Sequence, residues 1–440
     1  MKYLYISLAT ALLMLSGVTQ AQIKPDSLTL DQLMKTVLTN YPELKKAEKD
    51  ITAADAKTAL SRSSKLPDVV FSAGYNRIGP VSTFNFSGYQ IQLMPENAYN
   101  ASVSLTENLL DFGKTEKNVA IDEKNKELQT RVIGQVRQRL TQAVLVNYYS
   151  LCYLQEAIRI KDEQLNALEK HVQFVQKKQA TGSATSYDLL STQVKIATIE
   201  NQKTDLQTAL DIQLNSLNSL LGTEKETRFA VKKERLDIKE PAPLDTLCTL
   251  ALTNRLEMKT AMGKVELAKL KLDAVGVQNK PSLNLQAAGG FKNGYLNSSY
   301  EDVGKLNYNL GLGLRVPLFD ANRSKYAKVQ ANAAIDNCNE DVELLKRSIT
   351  SEVVENRINV SGAMKKIQTC TFQVQQATQA YNIAETSYRN GVITNLDLLD
   401  SYTSLSEGQL ALFKATTDYQ ICRWKLRLAT GETFFSAISY

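Results

Sequence analysis

The 440-residue chain is 43% hydrophobic and 22% charged with a formal net charge of +6, spread without basic runs interleaved with aromatics, which excludes a nucleic-acid footprint. Its five cysteines, Cys152, Cys248, Cys338, Cys370 and Cys422, are odd in number and far apart with no CxxC spacing. They read as small buried hydrophobes in helices, not as a disulfide framework or a metal site.

At the N-terminus, Lys2 precedes an apolar run from Leu4 to Leu15 and a small-residue stretch ending at Ala21. That is the layout of a cleavable secretory signal over residues 1–21. No cysteine stands near the cut, so a lipoprotein signal is not indicated, and nothing later offers the roughly 20 consecutive apolar residues of a spanning helix. If the chain crosses a membrane, it does so as β-strands.

The rest is one unit written twice. TGSATSYDLLSTQ at 181–193 returns as NGVITNLDLLDSY at 390–402. At the same offset of 209, Asp111 meets Asp320, Gly182 meets Gly391, Asp188 meets Asp397 and Gly222 meets Gly431. Upstream the offset becomes 214, pairing Asn40 with Asn254 and Pro67 with Pro281, so the first copy carries five extra residues between Pro67 and Asp111. The expected organisation is a first repeat over 22–222, a linker over 223–243 and a second repeat over 244–440.

Each repeat is expected to run as short helix, strand pair, long helix, short helix. In the first, a helix is expected from Leu28 to about Ser63. A weak strand covers Val69 to Arg77, and a stronger one alternates Tyr99, Ala101, Val103 and Leu105 with polar residues. In the second, Leu283, Leu285, Ala287, Gly289 and Phe291, then Leu306, Tyr308, Leu310, Leu312, Leu314 and Val316, alternate in the same way. Strands of roughly 9 to 11 residues with one apolar face match outer-membrane barrel strands. Four strands cannot close a barrel, whose smallest bacterial form has about eight, and open edges are not tolerated in lipid. Several chains must share one barrel.

Between Lys114 and Ala180 the only glycine is Gly134, and between Arg323 and Asn390 the only one is Gly362; neither stretch contains proline. Each can be a single helix of roughly 100 Å. Leu165, Leu168, Val172 and Val175 in one, and Val374, Ala377, Tyr381, Ala384 and Tyr388 in the other, fall in alternating steps of three and four, a coiled-coil seam. Gly182 and Gly391 are expected as C-cap glycines, with Lys177, Lys178 and Arg389 complementing the last carbonyls. Return helices start at Thr185 and Thr394, with Asp188 and Asp397 at capping-box spacing. His171, expected mid-rod, reads as a surface or interhelical residue. No Ser/His/Asp arrangement, metal-ligand cluster or phosphate loop stands in the sequence, so no enzyme, cofactor or metal is expected.

With this order of elements, LLDFGK at 109–114, PLFDANR at 317–323 and the two turns, the chain resembles the TolC-type outer-membrane efflux proteins over nearly all of its mature length. The resemblance implies a mixed α and β membrane protein of a Gram-negative outer membrane. It would be a homotrimer in which twelve strands form one barrel, continued by an α-helical tunnel into the periplasm. It further implies a passive exit duct in a tripartite efflux or type I secretion system, with a periplasmic adaptor (membrane fusion protein) and an inner-membrane transporter as partners. A structural coiled-coil scaffold or periplasmic adaptor stays open as the alternative.

In that family the helix turns form the periplasmic tip and meet the adaptor, which places Gly182, Thr185, Tyr187, Asp188, Tyr388, Gly391, Ile393 and Thr394 there. Asp397 and Asp400 correspond to the carboxylates of the closed entrance. The links that hold the tip shut would involve Asp188, Tyr187 and Tyr388, but the family's arginine after the second turn glycine is Ile393 here. From the residues alone, Asp397 is a cap. Asp400, whose counterpart is Ser191, is required by no cap and reads either as a solvated first-turn acid or as part of the constriction that the resemblance implies, where threefold symmetry would gather six carboxylates and attract cations.

Overall fold

The structure, a computed structural model, describes residues 29–86, 88–92, 94–222, 238–297 and 302–434. The expected signal segment and most of the expected linker lie outside them. The chain divides into two compact units, with boundaries at Tyr41/Pro42, Gln138/Arg139, Ala242/Pro243, Val354/Glu355 and Leu428/Ala429.

The leading helix differs from expectation. Instead of one segment there are two, α1 (Leu30–Asn40) and α2 (Pro42–Ser63). Thr29 caps α1 in a capping box with Gln32. Tyr41 leaves the helix at ψ 128°, because the ring of Pro42 disfavours α geometry in the residue before it.

The sheet belongs to one unit. It is formed by β1 (Asp68–Arg77), β4 (Asn97–Leu110), β5 (Ser282–Leu296) and β6 (Asp302–Arg315), antiparallel in the order β1-β4-β5-β6. Between β1 and β4 the first copy inserts a hairpin of β2 (Thr83–Phe86) and β3 (Tyr89–Gln92), which the sequence pattern did not reveal. Register fixes the faces, since residues directly opposite project to the same side. Phe71, Val103, Gly289 and Tyr308 are in line across all four strands, as are Val69, Leu105, Ala287 and Leu310. The opposite face carries Ser72, Ser102, Gly290 and Asn307, with the two serine hydroxyls 3.1 Å apart. On the apolar face Leu310 and Leu312 are 72% and 68% exposed in the single chain. Tyr75 and Tyr99 stack at 5.1 Å near one end of the strands, and exposed Phe112 and Phe319 follow the other ends, the placing of interfacial aromatics around a barrel.

In the same unit the second copy's leading helix is also broken, into α5 (Leu244–Asn254) and α6 (Leu256–Val277). No proline explains this break. Its hinge is Arg255, at ψ 131°, whose buried guanidinium pairs with Glu257 and Glu352.

Two helices of 67 residues follow the strand pairs, α3 (Lys114–Ala180) and α7 (Arg323–Arg389). Each begins in the sheet unit and ends in the other unit. The return helices are α4 (Ser186–Leu221) and α8 (Asn395–Ala429). Near the turns, α3, α4, α7 and α8 share a core: Leu168, Ile199 and Leu399 pack with Leu165, Ile196 and Tyr402, and Val175, Tyr388 and Leu398 pack with Phe174, Tyr381 and Ala384. The seam residues therefore face inward as the three-four spacing requires. The five cysteines form no disulfide and lie in helices, half-buried instead of buried. Among the described residues no helix is long and apolar enough to cross a membrane.

Candidate gate at the helical turns

The two turns are built alike. Gly182 and Gly391 both sit at φ +74°, a left-handed geometry that an L side chain resists. The amide of Ser183 returns to the Lys178 carbonyl at 2.8 Å, and that of Val392 to the Ser387 carbonyl at 2.9 Å. Each return helix then opens on a reciprocal cap. The Thr185 amide donates to Asp188 Oδ2 at 2.8 Å while the Asp188 amide donates to Thr185 Oγ1 at 3.2 Å. The Thr394 and Asp397 pair does the same at 2.9 and 3.2 Å. Bonds from the Thr394 hydroxyl and amide hold the Asp397 carboxyl below its ordinary value.

The other expected site residues are distributed around these caps. Asp397 and Asp400 are exposed on either side of buried Leu398 and Leu399, and so present one carboxylate edge. Tyr187 is exposed, whereas Tyr388 is buried among Val175, Phe174 and Leu398. Ile393 packs on that same cluster. Within one chain Tyr187 and Tyr388 are therefore not brought together, and the Asp188 carboxylate is taken up by its own cap.

What joins the two turns is a set of residues the sequence reading did not assemble. Asn395 is 3% exposed. Its side-chain amide donates to the Asp188 carbonyl at 3.0 Å and to the hydroxyls of Thr192 and Ser191 at 3.1 and 3.3 Å. Its oxygen lies 2.6 Å from His171 Nε2. Because the amide nitrogen is committed to acceptors, the ring must be protonated on Nε2 and donate. His171 lies nine residues before the end of α3, nearer the turn than expected. Lys178, expected to serve its own helix, donates to the Tyr388 carbonyl of the other rod at 3.0 Å, and its ammonium stands 4.6 Å from the Tyr388 ring and 5.2 Å from the Phe174 ring. Cation–π contacts of this kind contribute ~0.5 to 2 kcal/mol.

The signal for this set lay where the repeat fails. At the offset of 209, His171 faces Ala380, Lys178 faces Ser387, Tyr388 faces Gln179 and Asn395 faces Ser186. Residues kept in both copies make each turn, and residues that differ tie one turn to the other.

The profile of the outer membrane efflux protein family matches residues 33–223 and 247–432. The chain belongs to that family. Among its relatives, the outer membrane protein TolC of Escherichia coli strain K12 is 21% identical over 439 residues, covering 98% of this chain and 86% of that protein. The probable efflux pump outer membrane protein TtgC of Pseudomonas putida is 24% identical over 406 residues, covering 87% and 78%. The fold is that of CusC, with a TM-score of 0.77 at 18% identity over 92% of each chain. It is also that of VceC from Vibrio cholerae, with a TM-score of 0.75 at 19% identity over 92% and 96%. The protein is thus an outer-membrane efflux protein.

Proposed function

We propose that three copies of this chain assemble into a passive exit duct that receives substrates from an inner-membrane transporter through a periplasmic adaptor. The observation that carries this reading is the open four-stranded sheet with a continuous apolar face. Among the described residues β1 and β6 are its edges, and an edge cannot remain unpaired in hydrocarbon. Pairing β6 of one copy with β1 of the next closes the sheet. Two copies would give about eight strands, an interior that side chains can fill, so an aqueous lumen calls for three. A scaffold or adaptor role would leave the apolar sheet face without a purpose.

The same reading divides the mature chain into repeats over 22–222 and 244–440, joined by 223–243 and preceded by a cleaved segment over 1–21. The two 67-residue helices and the matching turns support it. Asp397 and Asp400 form the periplasmic constriction, and Gly182, Thr185, Tyr187, Asp188, Tyr388, Gly391, Ile393 and Thr394 the tip that meets the adaptor. Native mass measurement of the protein extracted in mild detergent should give three copies, and planar bilayers should show discrete conductance steps. A monomer, or membranes that stay sealed, would overturn the duct.

A further inference from the structure

Within the sheet unit the two copies are congruent. α2 and α6 are each 22 residues long and start 214 apart, and α3 and α7 are each 67 residues long and start 209 apart. The strand registers obey the same offsets: Val69 lies opposite Leu105, and Leu283 opposite Leu314. A contact from the first copy to the second therefore has a counterpart, found by moving its first-copy residue on by 209 and its second-copy residue back by 214.

One chain contains a single junction of this kind, with α3 antiparallel to α6. Lys114 Nζ donates to the Lys280 carbonyl at 2.7 Å, Lys117 pairs with Asp273 at 2.8 Å, and Arg131 donates to the Lys259 carbonyl. Leu128 presses on Gly263, where an added Cβ would stand 2.7 Å from it. The counterpart junction, α7 on α2, cannot form within the chain, because β6 and β1 are opposite edges of the sheet. The missing neighbour shows in exposure. Leu109 and Leu110, at the end of β4, are 46% and 48% exposed, whereas their counterparts Leu318 and Phe319 are 93% and 87% exposed.

We infer that α7 of one copy packs antiparallel on α2 of the next in the α3–α6 register, and that Glu340 of one copy pairs there with Lys45 of the other. The inference rests on the closed sheet proposed above. In this register Arg323 takes the place of Lys114 before the Leu66 carbonyl, Tyr326 lies at Ala59, Asn337 at Lys49 and Glu340 at Lys45. Congruence supplies the backbone fit but says nothing of charge, and the same offsets could have set like charges opposite. They set unlike ones. Lys45, Lys46 and Lys49 share one face of α2, and Asp336, Glu340 and Glu343 share one face of α7. All six are exposed, and among the described residues only Glu343 has an ion-pair partner, Lys346 of its own helix. The seam joins different surfaces of the two copies, so it runs head to tail and closes as a ring.

The test places Glu340→Cys and Lys45→Cys together in a full-length chain whose five native cysteines are alanine, and adds a mild oxidant to outer membranes. A disulfide needs Cα atoms within about 7 Å, so it reads the register. Non-reducing electrophoresis should show covalent dimers and trimers and nothing larger. Glu340→Cys with Thr52→Cys, displaced about 10 Å along α2, should show neither. With wild type trimeric by native mass, absence of the ladder, a ladder that stops at dimers, or an equal ladder from the displaced pair would overturn the seam and leave the duct standing; a monomeric wild type would remove both. Should the cysteine-free chain fail to assemble, charge exchange decides. Glu340→Lys and Lys45→Glu should each lower, by several degrees at low salt, the temperature at which the heat-modifiable oligomer dissociates, with smaller shifts at high salt. The double variant should recover at least half of the summed loss, and additive losses would refute the pairing.

Discussion

Replacing Leu310 by Arg puts the barrel to its most direct test. Leu310 lies near the middle of β6, opposite Ala287, on the face that also carries Leu306, Tyr308, Leu312 and Leu314. Its side chain is 72% exposed in the single chain, so little protein packing is lost with it. What changes is its exchange of lipid for charge. An arginine near the midplane of a barrel wall costs ~2 to 4 kcal/mol, and three copies multiply this to ~6 to 12 kcal/mol per assembly. Each ~1.4 kcal/mol is tenfold in the equilibrium, so the assembled fraction should collapse. The control is next door: Asn309 projects to the other face, and Asn309→Arg adds a charge to water. The assay is the amount of heat-modifiable oligomer recovered from outer membranes, read by electrophoresis with and without boiling. Comparable loss in both variants, or assembly of Leu310→Arg at wild-type levels, would show that the apolar face does not meet lipid.

The sheet offers a second paired test in Gly290→Ala and Gly289→Ala. A Cβ at Gly290 would stand 2.3 Å from the Ala101 carbonyl oxygen, a backbone atom that cannot rotate away, whereas one at Gly289 meets nothing within 4 Å; the first should lower stability by ~1 to 3 kcal/mol in thermal melts and the second should leave it nearly unchanged. Thr394→Ala removes the cap of α8 and should cost ~0.5 to 2 kcal/mol, read as faster exchange of the first turn of that helix. The cap bonds that depress Asp397 contribute stability that is complete above its ordinary value of 3.8 and is lost as pH falls through the lower folded value; the extra exchange protection of wild type over Asp397→Asn at that turn should therefore be lost only in strong acid, and its loss centred near neutrality would contradict the assignment.

Much of this architecture could be read from spacing. The rods end where glycine and proline were absent and then returned, and the capping boxes stand at Thr185 and Thr394 because threonine and aspartate recur three apart. Strand faces were legible because period-two alternation is a property of single residues. The misses have physical reasons. Pro42 marks the α1/α2 break, yet it sits at the first position of a helix, where proline is favoured, so it did not read as a break. The break at Arg255 depends on ion pairs with Glu257 and with Glu352 far along the chain, which no local pattern records. The tie between the turns was missed for the opposite reason. A repeat draws attention to what is kept, and His171, Lys178 and Asn395 are positions where it is not kept.

The same logic frames the prediction at Asp400. Its counterpart is Ser191, whose hydroxyl serves the first turn by donating to the Asp188 carbonyl and accepting from Asn395. Asp400 has exchanged that local bond for an exposed charge beside Asp397. In a threefold assembly the two residues would supply six carboxylates around one axis. A divalent cation ~5 Å from a carboxylate gains roughly 1.7 kcal/mol per pair in a water-like dielectric, before screening by salt. Removing three of the six through Asp400→Asn should thus weaken block by multivalent cations at least about tenfold in single-channel recordings. It should lower cation selectivity and leave oligomer stability nearly unchanged. Asp397→Asn should weaken the block too, but with loosening of its turn, because the same carboxylate closes a cap. Asp188→Asn separates the two roles: it disturbs the equivalent cap in the first copy and should affect block less than Asp400→Asn. Block abolished by Asp188→Asn and untouched by Asp400→Asn would move the constriction to the first turn, and would mean that the departure from the repeat at Asp400 serves something other than the gate.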